Sequence, residues 1–268
     1  MTMTNAAPNL DTILDAKRRD LARRKRKTPI DAVRALASMQ RRPEPLLSTV
    51  QENERVLLIG QIDYAPPANG VLDGHDPVAQ AVHFARAGVD TIALFTDRGI
   101  SSGGVEDLMF IARAVRSFNV PVITQNYIFD EYQVIEARAA GAAGVVLSAG
   151  MVDLRVLRIL VSSTQRNRMT AIVEVANEAE LASAIALSPQ VIAFSNRSAN
   201  GGDWLTAARR LRPLVPRHVH IAVSGGVGSF DEMAQVAALG VDAVFVDTPL
   251  LAPDNVPILR DLLRSSAG

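Results

Sequence analysis

The sequence predicts an α/β fold of the (β/α)8 (TIM) barrel type with an N-terminal helical extension, and three observations predict it. Eight short apolar runs recur after Arg55, at 56–62, 91–96, 120–124, 144–148, 170–175, 190–195, 219–223 and 242–247. They are β-branched and mostly continuous rather than alternating. Strands apolar on both faces belong to parallel sheets covered by helices. Between them lie Ala-rich segments with helical spacing, at 77–87, 105–117, 131–140, 178–187, 203–212 and 230–239, each long enough for a crossover. A weak internal repeat is the third observation. ARAGVDTIALFT, ARAAGAAGVVLSA and AALGVDAVFVDT each read as helix end, glycine cap and buried strand. Gly88, Gly141 and Gly240 fall where a helix C-cap accepts positive φ cheaply. Eight such units in roughly 210 residues suit a closed barrel better than an open doubly wound sheet.

Residues 1–50 differ in kind and form the expected helical extension, with 51–268 as the barrel. From Leu10 to Lys27 the spacing is helical, with Leu10, Ile13, Leu14, Leu21 and Ala22 near one face. Lys17-Arg18-Arg19 and Arg23 to Lys27 occupy the other. A basic run of this kind can be a nucleic-acid arm. Here compensating acids follow and no aromatics interleave, so a solvated helix face is the expectation. Pro29, Pro43 and Pro45 punctuate the passage around a second helix near 30–40.

Composition narrows the function classes. The chain has 268 residues, 48% of them hydrophobic, enough to bury a large core. Lys plus Arg and Asp plus Glu both number 28, so the formal net charge is zero. Affinity for nucleic acid or an anionic membrane needs clustered positive excess; neither partner is expected. The absence of cysteine excludes disulfides, thiolate zinc sites, iron–sulfur clusters and a cysteine nucleophile, and suits a reducing cytosol. No run approaches the ~18 apolar residues of a spanning helix, and the N-terminus lacks a secretion signal. The expectation is a cytoplasmic, cofactor-free protein that takes a small-molecule substrate and exists as a monomer or weak homo-oligomer.

In such a barrel the chemistry sits at the C-terminal ends of the strands. Those positions are Gln61, Asp63 and Tyr64; Phe95 and Thr96; Gln125, Asn126 and Tyr127; Ser148; Glu174; Ser195, Asn196 and Arg197; Ser224-Gly225-Gly226; and Asp247 and Thr248. Glu174 is the leading catalytic candidate, because an ionisable group inside an apolar strand is costly unless paired or useful. Asp63 follows an apolar run in the same way. Asp247 either takes part or holds a neighbouring loop. Ser224 to Gly228 reads either as a plain tight turn or as a backbone cradle for phosphate, and Asp247 would oppose a dianion there. Of the four histidines, His83 belongs on a helix face and His218 and His220 at the wrong end of the barrel. His75, in the loop 65–76, is the one within reach. No spacing motif supports a metal site.

Taken together, these segments resemble indole-3-glycerol phosphate synthase over nearly the whole chain. LDTILDAKRRDLARRK is similar to that family's N-terminal extension, and GVDTIALFTDRGISSGGVEDL to its second-strand segment. PVITQNYIFDEYQVIEARAAGAAGVVL is the most specific match, with Asp130, Tyr132, Gln133, Glu136, Ala137 and Gly141 in place. VEVANEAEL, the Asn-Arg of FSNRS, and GVDAVFVDTPLL complete the series.

The resemblance implies a barrel enzyme that closes and decarboxylates a phosphorylated, ribulose-linked anthranilate and then dehydrates it to an indole. It implies Glu174 as general base and Arg197 as an assisting cation. The family's lysine general acid falls at Gln125, its strand-one glutamate and lysine at Gln61 and Asp63, and its strand-six asparagine at Ser195, beside Asn196. In its phosphate site Ser224 and Gly225 persist. The strand-eight Gly-Ser becomes Asp247-Thr248, and the glutamate before the strand-seven serine becomes Val223. An amide donates no proton near neutral pH, so Gln125 cannot be a general acid. Over these positions two cations are lost, two anions gained and two anions lost, two units more negative overall. The expectation is a repurposed lyase or acid/base catalyst with Glu174 as base. The alternatives are the ordinary synthase with a substitute acid, Tyr64 or Tyr127, and a non-catalytic ligand-binding or scaffold barrel.

Overall fold

The computed structural model describes residues 10–47, 55–62, 76–96, 103–195 and 204–264. Asp63, Tyr64, His75, Asn196 and Arg197 lie outside the described residues. Two helices come first, α1 (Leu10–Lys27) and α2 (Ile30–Met39). There follow β1 (Leu57–Ile62), α3 (Pro77–Ala87), β2 (Thr91–Phe95), α4 (Val105–Ala114), β3 (Val122–Gln125) and α5 (Glu131–Ala139). Next are β4 (Gly144–Ser148), α6 (Leu154–Arg166), β5 (Thr170–Val175), α7 (Glu178–Ile185), β6 (Val191–Ser195) and α8 (Trp204–Leu211). β7 (His220–Val227), α9 (Phe230–Ala237), β8 (Ala243–Asp247) and α10 (Asn255–Arg264) complete the chain. The described strands run parallel in chain order and β8 closes on β1. This is the barrel that the apolar runs predict.

Local chemistry explains the boundaries. Asp76, Asp130, Asp153, Asn177 and Ser229 each cap a helix by accepting a backbone N–H. Gly88, Gly141 and Gly240 have φ of 89°, 97° and 62° at the opposite ends, the left-handed cap that repeats along the sequence. Two helices fall outside the Ala-rich segments. α6 carries its core face as Leu157, Leu160 and Val161, with arginines outward, and α10 likewise buries Val256, Leu259 and Leu263.

β7 is longer than its apolar run. The sequence predicts that the strand ends at Val223, but pairing with β8 resumes at Val227 after a register shift. Gly225 and Gly226, at φ 100° and 89°, supply the backbone that lets the strand bulge and continue. The glycine segment is therefore part of the barrel wall.

The core has two layers. Between strands and outer helices runs a continuous aliphatic cluster that includes Phe84, Leu108, Leu157 and Phe194. Inside the barrel Leu57, Ile59, Ala93, Ile123, Ile172, Ala193, Ala222 and Phe245 meet, and Leu46 seats among them where the strands begin. Each large side chain buried in this way stabilises by roughly 1.5–3 kcal/mol.

α1 and α2 dock on α5. Leu21, Val33 and Ala37 pack against Tyr132 and Ile135. The Tyr132 hydroxyl donates to the Thr28 carbonyl at 3.0 Å. Lys25 pairs with Asp130 at 2.6 Å, and Arg24 pairs with Glu136. The basic run is thus not simply a solvated face, because two of its cations bind the barrel. Ala22, expected on the apolar face, is exposed, while Leu14 is buried. Burial pushes the Glu136 carboxyl above its ordinary range, against the pull of Arg24 downward. The motif residues Asp130, Tyr132 and Glu136 are thus the platform for the extension.

Candidate active site

Strand parity builds the mouth of the barrel. Ile59, Ala93, Ile123, Val146, Ile172, Ala193, Ala222 and Phe245 all belong to the interior cluster. Side chains alternate along a strand, so the next inward position on each strand is Gln61, Phe95, Gln125, Ser148, Glu174, Ser195, Ser224 and Asp247. Register agrees: Gln61 faces Asp247, Phe95 faces Gln125, Ser148 faces Glu174, and Ser195 faces Ser224 across neighbouring strands. An apolar interior ends in a single ring that is polar at every position but Phe95.

Above most of that ring lies a cavity of about 440 Å³, lined by Phe95, Gln125, Tyr127, Ser148, Glu174 and Ser195, among others. That volume is ordinary for a small-molecule site. Among the sequence-predicted residues it brings together Glu174, Gln125, Tyr127, Ser195 and Gly225. Phe95 and Tyr127 meet edge to face, centroids 6.0 Å apart, and form an apolar wall. Asn126 turns away from a catalytic role: its amide donates to the Thr96 carbonyl at 2.7 Å and its oxygen accepts from the Tyr127 N–H.

Glu174 is only half-buried and, among the described residues, its carboxylate has one donor. The fully buried Ser224 hydroxyl donates to Glu174 Oε1 at 2.6 Å. That bond fixes the carboxylate toward the cavity and leaves a second oxygen that can accept a proton. Gln61 is buried and its Oε1 has no hydrogen-bond partner among the described residues. Thr248 is spent on structure, donating to the Gln61 carbonyl and accepting from Gln80.

On the far side of Ser224 the situation reverses. Asp247 projects over the β7 bulge. A Cβ on Gly226 would collide with Asp247 Oδ1 and stand 2.9 Å from Oδ2, and one on Gly228 would stand 3.6 Å from Oδ2. Gly228 N–H already donates to Glu232 Oε2 at 3.1 Å. The hollow above these glycines therefore holds one carboxylate, with a second at its edge.

Several lining residues escape a strand-end reading, Met151 and Glu180 among them, from the segments after β4 and β5. Glu180 accepts from Ala176 N–H at 2.8 Å and from the Asn177 amide at 2.7 Å, and holds the turn after Glu174. The Asn-x-x-Glu capping spacing of residues 177–180 is the signal that marks it. His220 sits at the start of β7, 3.6 Å from Asp242, and His83 is exposed on α3, so neither reaches the mouth. Among the described residues no group of three or more His, Asp or Glu is placed to hold a metal. Among them, too, no helix is long and apolar enough to cross a membrane.

A family model described as indole-3-glycerol phosphate synthase matches residues 10–261. The chain belongs to the indole-3-glycerol phosphate synthase family. The enzyme of that name from Kineococcus radiotolerans is 32% identical over 266 residues, 96% of each chain. That from a Roseiflexus species is 31% identical over 94% of this chain and 97% of its own. Solved structures support the fold alone. A thiamine phosphate pyrophosphorylase from Pyrococcus furiosus superposes with a TM-score of 0.58 at 15% identity, covering 81% of this chain and 98% of that one. KGPDC from Streptococcus mutans gives 0.60 at 12% identity, over 80% and 100%.

Within this family the lysine count is informative. The chain has three lysines, Lys17, Lys25 and Lys27, and all lie in α1. No lysine exists anywhere from residue 28 to residue 268. Lys17 lines a separate cavity of about 540 Å³ between α1 and the barrel, which shares only Asn126 with the mouth.

Proposed function

We propose that this member of the indole-3-glycerol phosphate synthase family is a lyase-type acid/base enzyme, with Glu174 as base, acting on a small molecule that brings no phosphate to the β7–β8 rim. The observation that carries this reading is the Asp247 carboxylate seated over Gly226 and Gly228. A phosphate dianion entering that hollow would meet Asp247 and then Glu232, and like charges at such distances repel strongly outside bulk water. The lysine-free barrel supports the same reading, since the family's ammonium acid has no counterpart at Gln125. The retained Glu174, aimed by Ser224, supports catalysis over simple decay. Gln61 Oε1, buried and unpartnered among the described residues, offers an acceptor for a substrate hydroxyl or amine.

The second reading is the ordinary synthase, and the 31–32% identity to relatives of that name across almost the full chain favours it. It would need Tyr64, Tyr127 or Lys17 as the acid. One experiment separates the two. The purified chain is given the phosphorylated, ribulose-linked anthranilate, and indole formation is followed by fluorescence, alongside growth of a tryptophan auxotroph carrying the gene. No indole and no growth are expected. Turnover in the ordinary enzyme range of ~1–10³ s⁻¹ would overturn the proposal in favour of the synthase.

A further inference from the structure

We infer that a groove on the outer flank of the barrel, between α2, α5 and the turn from α6 into β5, binds a small polyanion carrying at least two phosphate or carboxylate groups. The groove encloses about 550 Å³ and shares no residue with the mouth. Its charged lining is five arginines, Arg34, Arg42, Arg138, Arg166 and Arg168, against a single acid, Glu131. In a chain of zero net charge this is a local excess of four positive charges.

Most of that charge is uncompensated. Glu131 is engaged by Arg166 at 2.9 Å. Arg34 reaches Asp31 across one exposed helical turn at 3.3 Å, a contact worth little. The guanidinium groups of Arg42 and Arg168 make no hydrogen bond or ion pair among the described residues. Arg138 is the deepest, only 6% exposed. It donates to the Gln40 carbonyl at 3.2 Å and to that of Arg41, and among the described residues no carboxylate pairs with it. Burial pulls its pKa down, so the fold has placed a guanidinium where its charge is disfavoured. Arg168 is held in the left-handed region at φ 61°, a conformation that non-glycine residues rarely adopt.

Planar guanidinium forks match phosphate and carboxylate geometry, two donors at a time. Several of them around a concavity of this size fit a compact ligand with more than one anionic group. The mouth is separate, so the ligand does not compete with substrate.

Inorganic pyrophosphate, titrated calorimetrically into the full chain at fixed ionic strength, is the probe. Saturable one-to-one binding is expected. The Arg42→Ala/Arg168→Ala variant, which removes two exposed side chains and should fold normally, should bind at least roughly tenfold more weakly. An Arg18→Ala/Arg19→Ala variant, with the same loss of charge on α1, should bind as the parent does. Absence of binding by the parent overturns the inference, as does equal weakening in both variants. So does binding of double-stranded DNA without any for pyrophosphate.

Discussion

Two neighbouring sectors of one rim, separated by a single strand, have opposite electrostatic plans. On the β5 side of β7, Glu174 receives the Ser224 hydroxyl and points its remaining valence into an open cavity. On the β8 side, Asp247 lies over glycine backbone, with no room between them for even a methyl group. Under the proposed function the same side-chain chemistry serves catalysis in one sector and exclusion of an anion in the other, and the surroundings of each carboxylate make the difference.

Four perturbations break or sharpen that contrast. Glu174→Gln keeps an oxygen for Ser224 to donate to but cannot accept a proton; turnover of a substrate found by screening should fall ~10²- to 10⁴-fold with the thermal midpoint little changed. Undiminished turnover would reduce Glu174 to a structural partner of Ser224. Gly226→Ala should lose roughly 2–4 kcal/mol in urea denaturation, part from the left-handed backbone and part from overpacking against Asp247. Adding Asp247→Gly should return the overpacking part and leave only the backbone cost, a non-additivity that reports the contact directly.

Asp247→Gly alone should open the hollow to inorganic phosphate. At tenfold excess over its dissociation constant the ion would stabilise the variant by roughly 1.4 kcal/mol, read as a rise in thermal midpoint absent from the parent. Equal response in both proteins would show that Asp247 excludes nothing. The smallest effect is expected from Ser224→Ala, about 1 kcal/mol of stability and a modest loss of rate, because Glu174 then loses its anchor without losing its charge.

Much of this was legible along the chain. Apolar runs locate the strands and where each one ends, so Glu174, Gln125, Ser195, Ser224 and Asp247 are legible as strand-end residues, whereas which strand-end residues point inward follows only from the parity of the closed barrel. Glycine caps at 88, 141 and 240 locate three helix ends. What escaped is whatever depends on distant partners. The continuation of β7 past Val223 needs the pairing of Val227 with Val246 on a distant strand as well as the bulge that its own glycines allow. Arg24 and Lys25 find Glu136 and Asp130 more than a hundred residues away, so a local reading leaves them in solvent. The arginines at 34, 42, 138, 166 and 168 are scattered in sequence, and only the packing of α2 beside α5, and of α5 beside α6, assembles them.

The confinement of every side-chain amine to α1 has a practical side. Among side chains, reagents that acylate lysine reach only one peripheral helix, where Lys25 is exposed but ion-paired with Asp130 and Lys27 is open. A fluorophore or surface linker installed on those side chains would leave the barrel's opening and its arginine flank chemically untouched, and the relative reactivity of Lys25 and Lys27 would report how firmly the ion pair with Asp130 holds.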